Sequence, residues 1–347
     1  MQLGLSDTLP ALVAKRFTAA RDAGHLVFSP THLSIINAAG ISYQLRYCPA
    51  LAKKPSNLKP DNEPKTPKPD PFENPTPELL IAQIPPENPT YNLILNKFPV
   101  IPNHFLLVTR DWYAQTDILD KTDLEATYEC LKAWNADGSS SKNLFAFFNS
   151  GDDSGASQPH RHLQFLPVEA MRQPGSESWH PLIDILTSQP TSPGPSSTPK
   201  FQHLSGLPFS HFALPLPSNP SADDLHSIYL TLYKAAAAAT RGQSPSEDTE
   251  QPATAGPASI SYNLAMTRST MMICPRRQET ALVPVDSATA RDVVDPGVLS
   301  LNGTILAGTL MVKAEGEWDS LRENPEQLTQ VLTTIGYPRT DSRGPSL

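Results

Sequence analysis

Cysteine is scarce: Cys48, Cys130 and Cys274 are the only three in 347 residues, and no two of them form a C-x-x-C pair. Such spacing excludes a disulfide framework and a sulfur-rich zinc site, and it fits a reducing compartment. Long apolar runs are missing as well. No stretch approaches the ~18 consecutive apolar residues of a membrane span, and residues 1–17 interrupt their short apolar runs with Asp7, Lys15 and Arg16, unlike a secretory leader. The expectation is a cytoplasmic protein, with the nucleus as a second location, and no membrane partner. Basic residues are outnumbered, 27 Lys plus Arg against 35 Asp plus Glu for a net charge of −8. They form no block, which disfavours a nucleic-acid partner held by charge.

Proline is in excess, at 37 residues, about twice the usual share of ~5%. Twelve prolines fall within 49–89 among Lys, Asp, Glu and Asn, and that stretch reads as an extended, solvated loop. Residues 188–200 and 242–257, dominated by Ser, Pro, Thr, Gly and Glu, read as surface insertions. The organisation expected is a half over 1–187 that contains loop 49–89, an insertion at 188–200, a second half over 201–337 with the low-complexity loop 242–257, and a tail at 338–347. Periodicity predicts helices at 5–23, 120–134, 222–240 and 325–335. Strands are predicted within 32–45, 91–97, 105–109, 143–148, 160–166, 260–267 and 271–274. A weak internal echo accompanies them: Tyr91-Asn-Leu returns as Tyr262-Asn-Leu, and Asn103-His-Phe-Leu-Leu resembles Ser210-His-Phe-Ala-Leu.

The chemistry concentrates in Asn149-Ser-Gly-Asp-Asp-Ser-Gly-Ala-Ser-Gln-Pro-His160-Arg-His162-Leu-Gln164. Its first half is a loop of small residues whose N–H groups can approach an anion closely. Its second half alternates, and strand side chains repeat every two residues, so His160, His162 and Gln164 share one face. A metal reading of His-x-His lacks a third ligand at matching spacing, so no metal site is expected. Covalent catalysis uses every polar group: a neutral imidazole attacks phosphorus and is displaced by a second nucleophile. Gln164 can donate to a phosphoryl oxygen but cannot serve as general acid or base, which favours transfer to an anionic acceptor such as inorganic phosphate over hydrolysis. Asn149 ends a strand where it can hydrogen-bond an α-phosphate or ribose, and Asn96 and Lys97 close a hairpin strand where an amide and an ammonium can reach nucleotide and phosphate.

These residues carry a family resemblance. Ser154-Gly-Ala-Ser-Gln-Pro-His-Arg-His-Leu-Gln-Phe165 and Asn96-Lys-Phe-Pro-Val-Ile-Pro-Asn-His-Phe-Leu-Leu-Val108 resemble the fungal diadenosine tetraphosphate phosphorylases, also called ATP adenylyltransferases. That family sits in the histidine-triad superfamily, in the branch that holds galactose-1-phosphate uridylyltransferase. Ser261-Tyr-Asn-Leu-Ala-Met-Thr267, Met272-Ile-Cys-Pro-Arg276 and Leu301-Asn-Gly-Thr-Ile-Leu-Ala-Gly-Thr-Leu-Met-Val-Lys313 resemble its C-terminal half. The resemblance implies an α+β fold in which a histidine-triad-like antiparallel sheet, flanked by helices, is duplicated within one chain as two pseudo-repeats, only one keeping the catalytic histidines. It implies that His162 is the nucleophile beside His160 and that Gln164 replaces a third histidine. It further implies a substrate lysine at Lys53 or Lys54, with Lys54 preferred, in a loop that acts as a flap over the nucleotide. Gly155, Ala156, Ser157 and Gln158 then form the phosphate loop, and Thr267, Met272 and Arg276 match positions that contact the far nucleotide.

The reaction implied is phosphorolysis of diadenosine tetraphosphate by inorganic phosphate to ATP and ADP, reversibly, through an adenylyl-histidine, with adenylyl sulfate as a second substrate. No cofactor is required by these residues, magnesium is left open, and a monomer is expected. Two rivals stand beside this reading: a sugar-phosphate uridylyltransferase, and a nucleotide-binding paralogue without catalysis.

Overall fold

In the computed structural model, which describes residues 1–53, 69–136, 138, 142–187, 201–244, 253–285 and 297–339, the alternating apolar segments assemble mainly into one antiparallel sheet. Helix α1 (Leu9–Asp22), opened by Pro10 in its first turn, buries Leu9, Val13, Phe17 and Ala20 at helical spacing. Then come β1 (His32–Ala38), β2 (Ile41–Tyr47), β3 (Leu80–Ile84), β4 (Tyr91–Leu95), β5 (Phe105–Thr109), α2 (Lys121–Trp134), β6 (Leu144–Ser150) and β7 (His162–Pro167). Two short helices, α3 (Val168–Met171) and α4 (Leu182–Thr187), end the first half. The second half contains β8 (Phe212–Pro215), α5 (Ala222–Thr240), β9 (Tyr262–Met266), β10 (Thr270–Pro275), β11 (Thr280–Leu282), β12 (Val298–Ser300), β13 (Thr309–Val312), α6 (Glu315–Glu323) and α7 (Gln327–Ile335).

The large sheet has the order β3-β4-β5-β7-β6-β9-β10-β8. Strand, helix, then two strands run in sequence as β5-α2-β6-β7 and again as β8-α5-β9-β10, and in both units the last strand lies in the middle. Register makes the duplication exact to the residue. Phe105 faces Phe165 as Phe212 faces Ile273, so Gln164 corresponds to Met272 and His162 to Thr270. Phe147 faces Gln164 as Ala265 faces Met272, and Phe147 and Ala265 are themselves partners, so the pseudo-twofold axis passes through that pair. The same offset equates Asn149 with Thr267. The copies differ most between their last two strands, where residues 151–161 of the first stand against Ser269 alone in the second. The second copy therefore has neither the histidines nor the loop.

One echo survives this test. Asn103-His104-Phe105 and Ser210-His211-Phe212 both lead into equivalent strands, whereas Tyr91 on β4 and Tyr262 on β9 occupy unrelated positions. The expectation of loop throughout 49–89 also needs correction, because Leu80–Ile84 is an edge strand paired with β4. Its brevity, with no apolar alternation beyond five residues, hid it.

One face of the sheet buries Leu93, Phe105, Leu163, Phe165 and Phe148 under α1, α2 and α5. The other buries Phe145, Phe147, Ala265 and Met272 under a three-stranded sheet of order β1-β2-β13 together with α4, α6 and α7. That cover serves mainly the centre and the second copy. Over the first copy, the same face carries the small cluster of Phe72, Ile94, Leu106 and Val108 and the residues described next.

Candidate active site

Residues 151–161 leave the sheet at Gly151 and return at His162. Gly151 and Gly155 take φ of +88° and +77°, and a Cβ at Gly155 would lie 2.8 Å from the Leu301 carbonyl oxygen. Glycine is thus required there by conformation and by the close approach of 301–302. Ser154 Oγ donates to the Gly151 carbonyl at 2.6 Å, and Asn263 Nδ2 donates to the Ser154 carbonyl at 2.9 Å, which anchors the turn. Beyond it the backbone N–H groups of Gly155, Ala156, Ser157 and Gln158 donate to no acceptor among the described residues, as an anion cradle requires.

His160 and His162 are both buried, and their hydrogen bonds assign them different roles. The His160 ring is spent: Nδ1 meets Asp70 Oδ2 at 2.6 Å, and Nε2 donates to the Thr109 carbonyl at 2.8 Å. Both nitrogens are thus engaged. The His162 ring instead donates from Nδ1 to the His160 carbonyl at 2.8 Å, which places the lone pair on Nε2. Burial pushes the His162 ring down to about 4 and the neighbouring His104 ring likewise to about 4, so both are neutral near pH 7.

This has a measurable consequence for stability. Between the unperturbed value of 6.5 and about 4, the unfolded chain binds protons at these rings that the folded chain does not. Stability therefore falls as the pH drops through that window, by at most about 3 kcal/mol for each ring. Urea midpoints at pH 7 and pH 5 should differ more for the wild type than for His162→Asn. Equal differences would count against a neutral His162.

His162 is held by its neighbours. Gln115, buried, accepts the His162 N–H at 2.8 Å and donates to the Asn149 and His162 carbonyls at 2.7 and 3.2 Å, tying β6 to β7. The β6–β7 register continues to place Asn149 beside His162. Asn149 Oδ1 accepts from Asn263 Nδ2 and from the Gly303 N–H, both at 2.9 Å, while its Nδ2 is buried with no partner among the described residues. A buried amide donor left open next to His162 suits a phosphoryl oxygen. Phe72 packs its ring 5.1 Å from that of His162, centroid to centroid. Arg161 points to the opposite face, where it meets Asp123 at 2.7 Å and Asp120 at 3.3 Å.

The other expected substrate residues lie in varied settings. Lys54 lies outside the described residues, and of Lys53 only the backbone, at the end of a short 3-10 turn, is described. The Asn96 side chain is engaged with His104 and with the Phe98 N–H, one layer behind the site. Lys97 is exposed, its Nζ 5.7 Å from the Phe98 ring centroid. Thr267 is buried at the second copy's counterpart of Asn149, and Met272 is wholly buried in the core. Arg276 is held by the chain itself. Only 1% exposed, its guanidinium donates to Asn263 Oδ1 at 2.5 Å and to the carbonyls of Ile335, Gln278, Glu279 and Leu301. Its fork cross-links the chain.

Asp70, Phe72, His104 and Gln115 were not singled out from the sequence. Asp70 and Phe72 sit in the proline-rich stretch, so part of that loop does cover the histidines. For Gln115 no local pattern was available, since its partners lie at positions 149 and 162. Among the described residues no cluster could hold a metal ion, and no helix is long and apolar enough to cross a membrane.

A buried neutral imidazole beside a glycine-turned loop with unpaired N–H groups, on one copy of a duplicated sheet whose other copy lacks both, is an arrangement that fits a group-transferring enzyme. Two family models then account for nearly the whole chain, Ap4A phosphorylase N-terminal domain over residues 2–187 and ATP adenylyltransferase C-terminal domain over 205–338. The chain belongs to the Ap4A phosphorylase family of ATP adenylyltransferases. It is 27% identical to diadenosine 5',5'''-P1,P4-tetraphosphate phosphorylase 2 of Saccharomyces cerevisiae over 99% of this chain and 98% of that one. The crystal structure of yeast Ap4A phosphorylase Apa2 is similar, with a TM-score of 0.76 at 26% identity, covering 96% of this chain and 99% of that one. The same yeast protein in complex with Ap4A gives 0.74 at 25% identity, again over 96% and 99%.

Proposed function

We propose that this chain catalyses phosphorolysis of diadenosine tetraphosphate, Ap4A, to ATP and ADP. The observation that carries the reading is the buried His162, its Nε2 lone pair free to attack and the open Asn149 Nδ2 donor beside it. His162 Nε2 forms a bond to the α-phosphorus of one adenosine moiety, and the bond from that phosphorus to the bridging oxygen breaks, so ATP leaves with the electron pair. An oxygen of inorganic phosphate then attacks the adenylyl-histidine, the P–N bond breaks, and ADP leaves while the lone pair returns to Nε2. Asn149 and Gln164 donate to the phosphoryl oxygens as charge builds. The N–H groups at 155–158 hold the next phosphates, and Lys97 and Lys54 lend positive charge to the chain of phosphates. No resident metal is assigned a step; magnesium, where it takes part, enters with the nucleotide.

The acceptor preference follows from what lies beside His162. Neither the amide of Gln164 nor that of Asn149 can take a proton from water, and the His160 ring is already committed. Phosphate arrives as an anion and needs no such base. Incubation of Ap4A with the protein should yield ATP and ADP in equal amounts only when phosphate is present. Phosphate-independent AMP would contradict the reading.

A further inference from the structure

We propose that His104 is a positioning residue for Gln164: its Nε2–H holds the Gln164 carbonyl oxygen and so turns the amide NH2 toward the reacting phosphoryl group. The inference rests on the reaction read above. The polarity of the relay is set at its far end. Asn96 Oδ1 accepts the Phe98 N–H at 2.8 Å, so the amide nitrogen of Asn96 is the atom that faces His104 Nδ1 at 3.1 Å. An amide nitrogen only donates, hence Nδ1 accepts, and a neutral ring must then carry its proton on Nε2. That atom is buried and has no hydrogen-bond partner among the described residues. Leaving such a donor unmet costs about 1–3 kcal/mol, which a protein tolerates where a bound state supplies the partner.

Its neighbour is Gln164. His104 immediately precedes β5, where Leu106 is the partner of Gln164 in register. The His104 ring lies 6.4 Å from that of Phe147, which pairs with Gln164 from the other side. Gln164 is thus flanked by Leu106 and Phe147 with the His104 ring alongside.

The second copy supplies an internal control. His211 precedes β8 as His104 precedes β5, but its Nδ1 donates to the Phe209 carbonyl at 2.8 Å and its Nε2 accepts the Leu204 N–H at 2.9 Å. There the histidine is bound to the main chain, and the residue corresponding to Gln164 is Met272, which has no amide to orient. The donor is kept available only in the copy that has a glutamine to direct.

Two measurements test this. Steady-state kinetics of His104→Leu should show kcat lowered about tenfold to a hundredfold with KM within about threefold, since the orientation matters most as charge develops. In a Gln164→Ala background the same substitution should change kcat by less than about twofold. An equal loss in both backgrounds, or an effect on KM alone, overturns the proposal. Long-range 1H–15N NMR of imidazole-labelled wild type should find His104 protonated on Nε2 and His162 on Nδ1, and His104 protonated on Nδ1 would overturn it independently of any variant's folding. Absence of phosphate-dependent turnover in the wild type would instead defeat the reaction assigned above, leaving the tautomer result to stand.

Discussion

Replacing His162 by alanine lowers kcat by about ten-thousand-fold or more while nucleotide binding persists, because the change removes the only bond-forming group and leaves the cradle intact. Adenosine-labelled Ap4A supplied without phosphate should leave one adenylyl group per chain on the wild type, with ATP released, and none on the variant. His160→Ala should be milder, since His160 acts on the nucleophile through its main-chain carbonyl, which the substitution retains. The ring of His160 matters for a different reason: it holds Asp70 and the Thr109 carbonyl in place. If His160→Ala abolished labelling and His162→Ala kept it, the assignment of the two histidines would be reversed.

The second large effect concerns the residue between them. Arg161→Met is expected to cost about 3–5 kcal/mol of stability with little change in turnover by the folded fraction, because it leaves the Asp123 carboxylate buried and uncompensated. Asp123 is 1% exposed, and burial already holds its carboxyl above the ordinary value despite the Arg161 guanidinium beside it. The Tyr91 hydroxyl at 2.8 Å and the Asp120 N–H at 2.9 Å remain as partners, but neither carries charge. Removing the guanidinium raises the carboxyl further, so the deficit narrows as the pH falls and the folded protein takes up a proton the unfolded chain has not yet bound. Adding Asp123→Asn should recover part of the loss. Urea unfolding of both variants checks this, and a deficit under about 1 kcal/mol for Arg161→Met would mean that the pair is more hydrated than its burial indicates.

Much of this was legible along the chain. The alternation at 160–166 placed His160, His162 and Gln164 on one face, and the register of β5, β7 and β6 agrees for His162 and Gln164. The helix expected at 222–240 is α5 to the residue, opened by Ser221 and Asp224 in a capping box. Short elements fared worse. β3 and β13 are five and four residues long, below the length at which a period of two stands out from chance. The duplication was detectable only as an echo, one half of which was accidental, because the copies share topology and register while their facing residues diverged to Thr270 and Met272.

The sequence by itself determined the local chemistry: a small-residue loop running into alternating histidines, and an amide where a proton carrier would otherwise stand. Such features depend on neighbours a few residues away, and local backbone geometry suffices to express them. Only the tertiary structure decided which imidazole keeps a nitrogen without a partner, because that depends on groups at Thr109 and Asp70, far away along the chain. It also decided that Arg276 braces the backbone and that His104 and His211, alike in sequence setting, carry their protons on opposite nitrogens. A lone pair is free or spent according to what packs against it, and that packing exists only once the sheet has closed.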